Sequence, residues 1–126
     1  MISGSYMDEK YKGWKDRNED AYKDMVRNND LPALEFAYDS MIPKLPKEYI
    51  ACAACETGND IIFEWAISDI SNYKIVITSA TRYGRLDFLQ QIEDEIPKID
   101  GMIEIITNIS KYNNYTDISN WISSFK

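Results

Sequence analysis

Histidine is missing from this chain altogether. That removes Ser-His and Cys-His nucleophile pairs and the usual imidazole ligands of zinc and iron. Cysteine occurs only twice, as Cys52-Ala-Ala-Cys55. A tetrahedral zinc would need two further Cys or His ligands. A thioredoxin-like pair would need a strand running into a helix that begins at the first Cys, whereas here both lie inside an alanine-rich, helix-like run. They read as core cysteines. Glycine is scarce, at 5 residues, and no phosphate-cradling loop occurs. The acidic pair Glu19-Asp20 and the run Glu93-Asp94-Glu95 lack calcium-loop spacing, and neighbouring carboxylates on a helix point to different faces. Glu93–Glu95 reads as a solvated helix end. No catalytic residue, metal site or cofactor is expected.

Long apolar runs are also lacking: none approaches the roughly 20 residues that span a bilayer. The start, Met1-Ile2-Ser3-Gly4-Ser5-Tyr6-Met7-Asp8, has no basic stretch followed by an apolar one, so it does not read as a secretory leader. A reducing, cytoplasmic setting is expected, and unexported sequons such as Asn108-Ile109-Ser110 and Asn114-Tyr115-Thr116 carry no meaning there. An excess of basic charge is absent too. Lys plus Arg number 14 against 21 Asp plus Glu, a net charge of −7, which repels phosphate backbones and argues against nucleic-acid binding.

What the 126 residues do hold is ordinary globular composition, 44% hydrophobic and 28% charged, and an internal period. Ala51 to Trp65 and Ile77 to Leu89 each run small residues into a Gly and then an apolar stretch at helical spacing. Gly58 and Gly84 are 26 residues apart, as are Ala54 and Ala80. Outward, Asn29 and Asn113 stand 29 residues from their neighbouring Gly, each flanked by apolar residues. Asn substitutes for Gly where the backbone turns left-handed after a helix. The period predicts an all-α fold: a short solenoid of about four stacked helix-turn-helix repeats, at about 19–45, 46–73, 74–98 and 99–126. The expected helices are 19–28 and 31–41, about 46–56 and 60–67, 74–83 and 85–95, and 100–112 and 115–125. Breakers at Ile42-Pro43-Lys44-Leu45-Pro46, Ser71-Asn72-Tyr73 and Ile96-Pro97-Lys98 separate the pairs. Residues 1–18 read as a partly disordered lead-in. Trp65 and Trp121 fall at apolar positions of second helices and read as core; Trp14 either caps the first pair or is an exposed anchor.

Ala80-Thr81 before Gly84, with Leu86 and Phe88-Leu89 after it, resembles an ankyrin repeat, and Ala54-Cys55, Gly58 and Ile62-Phe63 follow the same pattern. Asp60 stands where that family has Leu, its Thr-Pro-Leu-His opening is missing, and the period is shorter than its usual 33. Such short, divergent repeats are similar to those of large DNA viruses, which would put the protein in host cytoplasm or nucleus. The resemblance implies a non-enzymatic module that binds another protein, as an adaptor or as an antagonist of a host factor. It further implies that residues before each turn face the partner, and Arg27, Glu56, Arg82, Tyr83, Lys111 and Tyr112 are the candidates. Arg and Tyr concentrate binding energy at interfaces. The plainer alternative is that these are exposed helix ends of mixed polarity. A second class of function, a small acidic nucleic-acid mimic that inhibits a DNA- or RNA-binding protein, would need carboxylates arrayed on one face; interspersed Lys and Arg argue against it. A stack this short is also compatible with a homodimer formed through an end repeat.

Overall fold

The structure, a computed structural model, describes residues 2–17, 19–40 and 45–125. Among these the chain is all-helical, with ten α-helices and no strand. It divides into two compact units, Met1–Ile70 and Ser71–Lys126. The first holds α1 (Gly4–Lys10), α2 (Trp14–Arg17), α3 (Glu19–Arg27), α4 (Leu31–Ser40), α5 (Lys47–Thr57) and α6 (Asp60–Ile67). The second holds α7 (Tyr73–Arg82), α8 (Leu86–Gln91), a 3-10 turn (Glu93–Glu95), α9 (Met102–Tyr112) and α10 (Thr116–Ser123). Met41 and the Ile42-Pro43-Lys44 part of the first expected linker lie outside the described residues.

Four helix pairs, α3/α4, α5/α6, α7/α8 and α9/α10, share one turn chemistry. Each turns on a residue with positive φ: Asn29 at 53°, Gly58 at 80°, Gly84 at 69° and Asn114 at 59°. In each, the following N–H reaches back to a carbonyl five residues earlier: Asp30 to Met25 at 2.9 Å, Asn59 to Ala54 at 3.2 Å, Arg85 to Ala80 at 2.8 Å, Tyr115 to Ser110 at 2.8 Å. This bond satisfies a carbonyl the ending helix would otherwise leave bare, and it needs a left-handed residue just before it. The fourth turn corrects the expected register. Asn113 keeps φ at −95° and ends α9, and its neighbour Asn114 takes the left-handed position. Only that register puts Ile106 and Ile118 at the inward positions used by the other pairs.

Burial repeats with the turn. Counting from the left-handed residue, the positions eight and four before it are buried in every pair: Ala21 and Met25, Ile50 and Ala54, Val76 and Ala80, Ile106 and Ser110. So are those four and eight after it: Ala33 and Ala37, Ile62 and Ala66, Phe88 and Ile92, Ile118 and Ile122. Spacings of four and eight place these side chains on one helix face. Within the first unit α3 packs on both α4 and α5, and α5 on α6; within the second, α7 packs on α8 and α9, and α9 on α10. Two polar side chains enter the core with their hydroxyls satisfied. Thr81 donates to the Ile77 carbonyl at 2.8 Å, and Ser110 donates to the Thr107 carbonyl at 3.0 Å while accepting from Ser119 at 2.9 Å.

Within the expected lead-in, residues 2–17 carry α1 and α2 and bury Met7, Tyr11 and Trp14. Trp14 is 2% exposed, meets Phe36 edge-on at 6.1 Å and donates to Asp8 at 3.1 Å, so it caps the first unit. Trp65 and Trp121 are half-buried rather than core, lying under Lys47 and against Phe125 respectively. The second helix of the third pair stops at Gln91, because Ile92 adopts φ −119°, and a 3-10 turn follows.

Candidate functional site

All six candidate residues are exposed, and the structure brings three of them together. Arg82 ends α7, Tyr83 caps it, and Tyr112 ends α9. With Asn108, Ile109 and Asn113 they line an open groove of about 640 Å³ in the second unit. Lys111 lies on the last turn of α9, exposed but outside the lining. Arg27 and Glu56 belong to the first unit; Arg27 is tied to Asp24 at 3.2 Å, and Asp24 also holds Arg17 at 2.7 Å.

The groove is framed by the same turns that make the repeat. The Tyr115 hydroxyl donates to the Arg82 carbonyl at 2.8 Å, bridging the start of α10 to the end of α7. Its ring lies against Gly84, where an added Cβ would come within 3.1 Å of Cε1. Asn113 Nδ2 donates to the Ile109 carbonyl at 2.9 Å, closing the end of α9. On this frame two tyrosines stand out into solvent, Tyr83 at 44% and Tyr112 at 88% exposure. The Tyr112 ring is nearly all in solvent and the Tyr83 ring a little under half, so both offer aromatic surface to a partner. Among the described residues neither Arg82 nor Lys111 forms an ion pair, unlike Arg17, Arg27, Lys10, Lys23 and Lys98.

Sequence reasoning missed Ile109 and Asn113 in this lining. Both follow from the register shift at Asn114, which turns Ile109 partly outward. It also missed a second hollow of about 480 Å³, lined by Ile99, Gly101, Met102, Ile103 and Thr107 among others. The signal for that one was the Pro97 break ahead of α9.

A separate polar cluster closes the first unit. Asp30 Oδ2 accepts from the hydroxyls of Tyr11 at 2.7 Å and Tyr6 at 2.9 Å, with Lys10 at 3.5 Å, while Oδ1 caps α4 by accepting from the Ala33 N–H at 3.3 Å. Burial opposes ionisation of Asp30, but the bonds from Tyr11, Tyr6 and Ala33, together with the Lys10 charge, outweigh it, and the carboxyl titrates below its ordinary value. Burial, and then the bond to Asp30, push the Tyr11 hydroxyl up to about 12. This cluster fastens α1 onto the start of α4 and is structural.

Comparison with protein-family models, curated proteins and solved structures finds no match to this chain.

Proposed function

We propose that the chain is a non-enzymatic protein-interaction module, a short ankyrin-like helical solenoid that presents the ends of its first helices to a partner. The observation that carries this reading is the groove of Arg82, Tyr83 and Tyr112: two outstanding tyrosines and an arginine without an ion pair, held on hydrogen-bonded turns. Interfaces draw their energy from such aromatic and Arg anchors, and a rigid frame lowers the entropy lost on binding. The recurrence of turn and burial supports the repeat reading, since helix pairs of this length cannot bury their apolar stripe alone.

An affinity capture from cell lysate compares the wild type with an Arg82→Glu/Tyr83→Ala variant whose helicity is intact by circular dichroism. A partner held by the wild type and lost by the variant supports the groove as the binding face. Equal capture by both moves the interface elsewhere. No enrichment by either counts against the module itself.

A further inference from the structure

We infer that the Arg82–Tyr112 groove takes an acidic segment of a protein partner, with Arg82 as the counter-charge in its lining and Lys111 as a second cation just outside it. This rests on the binding-module reading and adds the chemistry of what is bound. Charge is distributed unevenly along the chain: the first unit has 8 Lys and Arg against 14 Asp and Glu, the second 6 against 7. The groove lies in the second, and its lining has no carboxylate. Arg82 supplies a charge at the end of α7, and Lys111 a second at the end of α9, one residue from Tyr112. Every ion pair within the described residues involves other cations, so the charges of these two are left for a ligand to neutralise.

The remaining side chains fit a peptide better than a denser polyanion. Tyr83 and Tyr112 offer ring faces to aliphatic or aromatic residues, and Asn108 offers both a donor and an acceptor to a backbone. A volume of about 640 Å³ lies in the range of ligand clefts. A nucleic acid would bring closely spaced phosphates against a chain of net charge −7, which repels it beyond the reach of two local cations. Arg also binds carboxylates through two parallel hydrogen bonds, which gives a Glu or Asp a fixed pose.

The test is a selection of random displayed peptides on the immobilised wild type, counter-selected on a folded Arg82→Glu/Lys111→Glu variant. Recovered peptides enriched in Asp and Glu are expected. Synthetic copies should bind the wild type more weakly as salt is raised, and lose about tenfold or more on Arg82→Ala, as a hot-spot arginine does. Arg82→Lys, which keeps the charge, should retain part of that binding, and the circular dichroism of Arg82→Ala itself should match the wild type. Groove-dependent peptides that are neutral or basic would overturn the acidic inference and leave the docking face standing. Peptides indifferent to every groove substitution, or no enrichment at all, would overturn both.

Discussion

Replacing Gly84 by alanine strikes the turn on which both the third repeat and the groove are built. Gly84 sits at φ +69°, a region that costs an ordinary L-residue about 1–2 kcal/mol. The new Cβ would also fall 3.1 and 3.2 Å from Cε1 and Cζ of Tyr115, inside normal contact distance. That ring cannot swing clear freely, because its hydroxyl is bound to the Arg82 carbonyl at 2.8 Å, a bond with a net worth of about 0.5–1.5 kcal/mol. Strain and crowding together put the destabilisation at about 2–3 kcal/mol, the upper part of the range for single substitutions. Gly84→Asn separates the two contributions. Asn already occupies the left-handed position at residues 29 and 114, so it should relieve much of the backbone strain while still meeting the ring. Urea unfolding followed by circular dichroism should therefore rank wild type above Gly84→Asn above Gly84→Ala. Adding Tyr115→Ala to Gly84→Ala should cost less than the two single losses combined. If alanine and asparagine prove equally harmful, or alanine costs under about 0.5 kcal/mol, left-handed strain is not what the glycine relieves.

Asp30→Asn keeps a side chain that can cap α4 but withdraws the charge from Tyr6, Tyr11 and Lys10; a loss of about 1–2 kcal/mol and faster proteolysis ahead of α3 are expected. Because the folded pKa of Asp30 is lowered, its contribution is complete above the ordinary aspartate value and lost as pH falls through the folded value, so the acid limb of a stability profile should flatten in Asp30→Asn. At the other end, Tyr11 and Tyr22 both titrate near 12 instead of 10.0, so stability should hold up to about pH 10 and fall steadily toward pH 12, read by melting temperature against pH. The Tyr22 hydroxyl is buried without a hydrogen-bond partner among the described residues; Tyr22→Phe should be neutral or raise stability by up to about 1 kcal/mol, and a clear loss would reveal a partner for that hydroxyl. Trp14→Ala should cost about 3–5 kcal/mol if α2 is an integral cap, and close to nothing if the segment is loosely attached.

How much of this was legible in the sequence depended on whether a residue had alternatives. Gly58 and Gly84 stood out because few other residues adopt their backbone, and the 26-residue spacing was read from them directly. At the fourth turn two adjacent asparagines are equally able to turn left-handed, and only packing decides between them; Ile106 and Ile118 choose Asn114. The helices α1 and α2 are 7 and 4 residues long, too short for a period to show. Ser3-Gly4-Ser5 falls within the expected lead-in, yet Ser3 accepts the Tyr6 N–H at 3.3 Å and starts a helix. The site was half legible: position before the turn picked out Arg82, Tyr83 and Tyr112, but it could not tell an arginine with an ion pair, such as Arg27, from one without. That distinction depends on Asp24, three residues away, and on Arg17, which shares it.

The departures from the recurrence carry the most meaning. Seven and three residues before the turn, three pairs bury Tyr22 and Val26, Ala51 and Cys55, Ile77 and Thr81. The fourth pair has half-buried Thr107 and exposed Lys111 there, and half-buried Ser119 where the others bury Leu34, Phe63 and Leu89. In the first three pairs these places are filled by buried side chains, mostly apolar; in the fourth they hold polar side chains that reach solvent. The same substitution that ends the pattern delivers Lys111 to solvent beside Tyr112.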